Sequence, residues 1–281
     1  MEVSIIGSGT MATGIAQVLC VSNEVSKVNL IARTEDKAIT SKSTCEKNIS
    51  RLARKGKISA ELSSIAIEKV VCCTELAIVG NSDLIIEAIA EDFVAKMELF
   101  SKLSGFINES TIVASNTSSL SITAFGSVLP NPENVIGLHF FNPAPIMELV
   151  EIVVGHETNP LVVDKLQTLT KALGKAPVVV QEAPGFVVNR MLIPMINEAV
   201  SILAEGVATA EDIDRAMRFG AHHPMGPLAL ADLIGNDVNL SIMETLYSET
   251  GDPKYRAHPL LRKMVRANHL GRKTKKGFFE Y

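Results

Sequence analysis

The 281-residue sequence predicts an α/β domain built on a mostly parallel sheet, followed by an all-helical domain. Three observations carry this. Short, continuously apolar runs alternate with longer helical patterns over the first two-thirds of the chain, the signature of βαβ units whose strands are covered on both faces. A glycine-rich turn joins the first such run to the first helical pattern. At Ala183-Pro184-Gly185 the texture changes, and no strand alternation follows.

In order, the strands are expected at residues 3–6, 28–31, 70–73, 84–88, 111–114, 135–139 and 178–180, with helices at 11–19, 36–55 and 94–103. After the break, Val187, Val188, Met191, Leu192, Met195, Ile196, Ala199 and Val200 are spaced for one broad helix face. Further helices are expected at 210–218, 229–233, 238–247 and 260–267. The division falls near residue 184: a domain over 1–183 and a second over 184–281. A small helical domain of this kind buries an apolar face against a second copy, so a homodimer is expected.

Composition narrows the function. Apolar residues at 47% and charged residues at 21% describe a packed globular protein. A net charge of -4 gives no bulk attraction to nucleic acid or anionic membrane, and with Trp absent and aromatics at only 5% a base-stacking platform is not expected. The four cysteines show neither a C-x-x-C pair nor zinc spacing, so no metal site is expected, and adjacent Cys72 and Cys73 read as small buried strand residues. Met1-Glu2 runs straight into an apolar strand without a secretory signal, and no apolar stretch is long enough to span a bilayer. A cytoplasmic protein is expected.

The turn after the first strand reads Gly7-Ser8-Gly9-Thr10-Met11-Ala12-Thr13-Gly14. Strand before, helix after and a βαβ context give it meaning as a dinucleotide fingerprint. Gly7 permits the tight turn, and Gly9 admits a pyrophosphate to the backbone at the helix N-terminus, beside Thr10 and Met11. About 20 residues on, a carboxylate would hold the adenosine ribose of NAD. The second strand ends instead in Ala32-Arg33-Thr34. Arg33, with Thr34 and Lys37 in support, suits a 2′-phosphate, so NADP(H) is favoured over NAD(H); the alternative leaves Arg33 solvated and gives the ribose to Glu35 or Asp36.

Further polar motifs sit at the ends of apolar runs: Ser115-Asn116-Thr117-Ser118-Ser119-Leu120, then Gly137-Leu138-His139-Phe140-Phe141-Asn142-Pro143-Ala144, Leu149-Val150-Glu151 and Pro184-Gly185-Phe186-Val187-Val188-Asn189-Arg190. Together with Met225-Gly226-Pro227-Leu228 and the terminal Gly271-Arg272-Lys273-Thr274, these motifs resemble those of the 3-hydroxyacyl-CoA dehydrogenase family over essentially the whole chain. The resemblance implies a Rossmann-type dinucleotide domain, a helical domain for substrate binding and dimerisation, and reversible oxidation of an L-3-hydroxyacyl-CoA, of the 3-hydroxybutyryl-CoA type. It makes His139 the acid/base, Glu151 its orienting carboxylate, and Ser118 and Asn189 the holders of the substrate oxygens. It places Glu91, Lys96, Asn142 and, less directly, Lys273 beside the cofactor, and Ser50 and Lys57 on the coenzyme A. Lys47, Arg51, Arg54 and Lys55 recur at helical spacing and extend that basic cluster. His222 and His223 read as structural or interdomain, and Glu148 as a surface rival of Glu151.

Three positions depart from the family pattern: Ala12 for a glycine, Ala32-Arg33 for an aspartate and His222 for an asparagine. The rival readings are a related dehydrogenase of a free hydroxy acid or of carnitine, and a dinucleotide-binding protein without turnover. The basic cluster argues against the first, and the presence of Ser118, His139, Glu151 and Asn189 against the second.

Overall fold

Eight strands form one sheet in the order β3-β2-β1-β4-β5-β6-β7-β8 in the computed structural model, which describes residues 1–281. The strands are β1 Glu2–Ile6, β2 Lys27–Ile31, β3 Val70–Cys73, β4 Leu84–Glu87, β5 Ile112–Ser115, β6 Val135–Phe140, β7 Leu149–Val154 and β8 Ala176–Gln181. The helices of this part are α1 Thr10–Val21, α2 Glu35–Arg54, α3 Ala60–Glu68, α4 Phe93–Leu103, α5 Ile122–Gly126 and α6 Pro160–Ala172. They belong to a compact unit, Met1–Glu182; a second unit comprises Ala183–Tyr281.

All strand pairs are parallel except β6 with β7. Only eight residues, 141–148, join those two strands, too few for the crossover a parallel pair requires. The strands bury alternate residues on opposite faces. Val3, Ile5, Leu84, Ile86, Ile136, Leu138, Val150 and Ile152 share one core with Ile15 and Leu19 of α1, Ile49 of α2 and Leu166 of α6. Toward the other face Gly137 lies close under Ile122 of α5, and Phe100 of α4 stacks on Phe125 of α5 with ring centroids 4.8 Å apart.

The expected strands are present, with ends shifted by a residue or two. Strand β7 and helices α3, α5 and α6 were not anticipated. Alternation in the run 149–154 is masked because both sheet faces are covered there, which removes the period-2 signal. Cys72 and Cys73 are a correction: they are only half-buried, because β3 is the sheet's edge strand. Cys20 and Cys45 are the buried pair, and all four cysteines are free.

The second unit contains α7 Val188–Ala204, α8 Ala210–Gly220, α9 Pro227–Ile234, α10 Asn236–Thr250 and α11 Pro259–Arg266. Ile193, Ile196, Ala231, Met243 and Leu246 form one of its cores, and Val200, Ile213, Leu228 and Leu261 another. Two buried aspartates organise it. Asp214 accepts from the amides of Leu228 and Ala229 at the start of α9, and Asp232 accepts from those of Phe278 and Phe279, fastening the last turn of the chain onto α9. His222 is an exposed turn residue at φ 55° just past α8, while the His223 amide closes that helix on the Met217 carbonyl. No helix is long and apolar enough to cross a membrane.

Candidate active site

The strand order reverses direction between β1 and β4, the place where open parallel sheets bind ligands at their carboxyl ends. There Gly7 adopts φ 142° and donates its amide to the Ile31 carbonyl. A Cβ at Gly7 would stand 2.3 Å from the Ala88 carbonyl oxygen, so only glycine lets the two strand ends close together. At Gly9 a Cβ would meet nothing within 4 Å, which leaves room over the backbone for a ligand. Gly9 is the N-cap of α1, no side chain caps that end, and no acidic residue stands in the first turn. An uncapped, uncharged helix start beside open space fits an anionic pyrophosphate. Thr10 is exposed here and Met11 half-buried.

Beyond β2, Arg33 is exposed. Thr34 is the N-cap of α2, its hydroxyl accepting from the Lys37 amide at 3.4 Å, and Glu35 and Asp36 follow in the first turn. The basic residues of α2 and its end (Lys47, Arg51, Arg54, Lys55 and Lys57) are all exposed, and the Ser50 hydroxyl donates to the Glu46 carbonyl within the helix.

At the ends of β4 and β5 a buried charged network holds two loops. Lys96 of α4, 1% exposed, is bonded to both oxygens of the fully buried Glu87 at 2.6 and 2.8 Å, and its ammonium lies 3.3 Å from Glu91. Glu91 in turn accepts from the Thr117 hydroxyl at 2.7 Å, the Ser118 amide at 2.8 Å and the Ser118 hydroxyl at 3.1 Å. Burial pushes the Glu91 carboxyl up. The Lys96 charge and the Thr117 and Ser118 hydrogen bonds outweigh that and hold it below the usual carboxylate range.

His139 and Glu151 come together through strand register. They are direct partners in the antiparallel β6–β7 pair, and Nδ1 of His139 lies 2.8 Å from a Glu151 carboxylate oxygen. Both side chains are buried, at 7% and 1% exposure. An ionised carboxylate only accepts, so a bond to ionised Glu151 puts a ring proton on His139 Nδ1. The Phe141 ring packs at 4.4 Å from the imidazole. The Asn116 side-chain oxygen accepts from the Phe140 amide at 2.8 Å, tying the Ser118 loop to the end of β6. Asn142 is exposed and precedes Pro143 through a cis peptide bond, and Glu148 is also exposed.

In the helical unit Asn189 is buried in the first turn of α7. Lys273 pairs with Asp237 at 2.5 Å. The first unit thus gathers Ser118, Glu91 and Lys96 into one network and His139 with Glu151 into a second. Glu87, absent from the sequence-based expectations, and Asn116, read there only as part of the 115–120 motif, are the polar groups that lock them. Glu87 had a signal, as a carboxylate closing an otherwise apolar run, Leu84-Ile85-Ile86.

Comparison with known proteins finds relatives along the full chain. The family profile described as 3-hydroxyacyl-CoA dehydrogenase, NAD binding domain, matches residues 2–183, and that of the 3-hydroxyacyl-CoA dehydrogenase C-terminal domain matches residues 185–281. The chain belongs to the 3-hydroxyacyl-CoA dehydrogenase family. With that membership it is an oxidoreductase that works with a nicotinamide cofactor. Among family members, a 3-hydroxybutyryl-CoA dehydrogenase of Clostridioides difficile is 50% identical over 281 residues, covering 100% of this chain and 99% of that one. A probable 3-hydroxybutyryl-CoA dehydrogenase of Bacillus subtilis is 43% identical, covering 100% and 97%. The crystal structure of (S)-3-hydroxybutyryl-CoA dehydrogenase from Ralstonia eutropha superposes with a TM-score of 0.95 at 42% identity, covering 100% of this chain and 98% of that chain.

Proposed function

We propose that this enzyme interconverts a short L-3-hydroxyacyl-CoA, of the 3-hydroxybutyryl-CoA type, and the matching 3-oxoacyl-CoA in the cytoplasm, with NADP(H) preferred over NAD(H). The observation that carries the reading is the buried His139–Glu151 pair at 2.8 Å, standing at strand ends of the sheet that also bears the glycine turn. A bound nicotinamide supplies or accepts the hydride. His139 gives its Nε2 proton to the C3 oxygen on reduction and takes it back on oxidation. Glu151 keeps the proton on Nδ1 and offsets the charge of the imidazolium when it forms. Ser118 and Asn189 hydrogen-bond the substrate oxygens, lowering the cost of charge developing there. Ser50, Lys57 and the exposed basic residues of α2 serve the coenzyme A moiety, whose phosphates suit point charges. Gly7, Gly9, Thr10 and Met11 form the pyrophosphate turn; Glu91, Lys96, Asn142 and Lys273 stand beside the cofactor.

Cofactor preference rests on Arg33, exposed where a ribose-binding carboxylate would otherwise stand. A charge-assisted bond to a 2′-phosphate is worth about 1.5–3 kcal/mol, roughly 10- to 100-fold in affinity. Reduction of acetoacetyl-CoA followed in parallel with NADPH and NADH tests both statements. Turnover favouring NADPH, with the preference lost in Arg33→Ala, is expected. Preference for NADH overturns the Arg33 assignment and gives the ribose to Glu35 or Asp36; acetoacetate reduced as readily as acetoacetyl-CoA overturns the acyl-CoA assignment.

A further inference from the structure

Glu87 has no exposed surface, yet it bonds Ile89, Lys96 and Ser115 and through them joins the segments that carry Glu91 and Ser118. Lys96 bonds both of its carboxylate oxygens, and each oxygen takes one further partner. Oε1 accepts the Ile89 amide at 2.7 Å and the Lys96 ammonium at 2.6 Å, both in the segment that carries Glu91. Oε2 accepts the Ser115 hydroxyl at 2.5 Å, and the Ser115 oxygen accepts the Thr117 amide at 3.2 Å, at the start of the loop that carries Ser118. The loops meet again at Glu91, which accepts from Thr117 and Ser118, while Lys96 sits between the two carboxylates.

The strand register places this hub centrally. Glu87 is the partner of Ile6, the last residue before the glycine turn, on one side and of Ser115 on the other. It therefore stands at the reversal of strand order, beneath both loops. Burying an ammonium against two carboxylates brings little net stability, because desolvation offsets most of the attraction. Its strength lies in geometry: each oxygen is committed, so neither loop can shift without breaking a charge-assisted bond in a water-poor site.

We propose that Glu87 is a positioning residue that acts through Lys96 and Ser115 to set Glu91 and the Ser118 hydroxyl for the reaction. It reaches neither substrate nor cofactor. If its charge is removed, Lys96 has Glu91 as its remaining counter-charge, draws that carboxylate off Ser118, and leaves the Ser115 arm slack. This inference rests on the acyl-CoA reading above, so wild-type turnover of acetoacetyl-CoA is measured first; its absence overturns that reading rather than this one.

With wild-type turnover in hand, Glu87→Gln keeps size but loses the charge and replaces one accepting oxygen with a donating amide. Its kcat for acetoacetyl-CoA is expected to fall about 10- to 100-fold, the usual effect of displacing a reacting group by an ångström or less. The KM for acetoacetyl-CoA should stay within about threefold, because uniform binding comes from the coenzyme A contacts elsewhere. The affinity for reduced cofactor, read by its fluorescence, should weaken together with kcat. The double variant Glu87→Gln/Lys96→Gln should lose no more than Lys96→Gln alone, since the two residues act as one unit. Ser115→Ala, which cuts only the Oε2 arm, should lower kcat in the same direction but less, and it decides the matter should Glu87→Gln fail to fold. Full kcat in folded Glu87→Gln, or in Ser115→Ala where Glu87→Gln does not fold, overturns the proposal, as do losses that multiply in the double variant.

Discussion

An imidazole that exchanges a proton at one nitrogen needs the other committed, and Glu151 commits Nδ1 of His139 at 2.8 Å. In Glu151→Gln the amide can either accept from or donate to that nitrogen, so the tautomer is no longer held. A loss of about 10²–10⁴ in kcat is expected, with cofactor affinity retained, as measured by steady-state kinetics and cofactor titration. Glu91 makes a pH prediction. Its carboxyl is held below the ordinary value of 4.5 by Lys96 and by Thr117 and Ser118, in spite of burial. A depressed folded-state value contributes stability that is present above the unfolded value and lost as pH falls through the folded one. Denaturant titrations from neutral pH down through pH 4.5 should therefore show the wild type losing more stability on acidification than Glu91→Gln; equal losses would remove Glu91 from the account. Of these residues, His139, Glu151 and Ser118 stand in motifs at the ends of apolar runs, while their roles, and the place of Glu91, came only through the family resemblance. Glu87 was not singled out, because a carboxylate within such a run carries no sign of the lysine nine residues on that neutralises it.

At the scale of elements, the turn between β1 and α1 tolerates no side chain at Gly7. An alanine there takes both a φ of 142° that L-residues avoid and a 2.3 Å approach to the Ala88 carbonyl. Gly7→Ala should lower the melting temperature and abolish cofactor binding, whereas Gly9→Ala, with nothing within 4 Å of its Cβ, should keep stability and lose affinity only. The edge position of β3 predicts the order of cysteine reactivity. Burial pushes the Cys72 thiol up to about 11 and raises Cys73 as well, and the Cys45 hydrogen bond together with burial raises Cys20. Mass-spectrometric thiol labelling of the folded protein should reach the half-buried Cys72 and Cys73 first, and the buried Cys20 and Cys45 only on unfolding. The cysteine expectation missed this order, because residue type alone does not tell an edge strand from a central one. Strand β7 was missed for a related reason: a strand covered on both faces shows no alternation, and its antiparallel direction depends on the short link over 141–148.

For the molecule as a whole, the α/β architecture was legible from alternating strand and helix patterns, and the helical end from the loss of strand pattern after residue 183. What lay outside the sequence was the register that makes His139 and Glu151 partners, since it arises from the pairing of whole strands. The helical unit leaves Met191, Val207, Phe219 and Leu233 between 49% and 73% exposed, apolar surface of the kind a second copy covers. A dimer is expected by light scattering, and a monomer at micromolar concentration would contradict that. The most direct test of the account is the kcat of His139→Gln for acetoacetyl-CoA at saturating reduced cofactor. The account predicts a fall of about 10²–10⁴ relative to wild type, with cofactor affinity intact. Turnover within a few-fold of wild type would contradict it, because some other group would then be moving the proton.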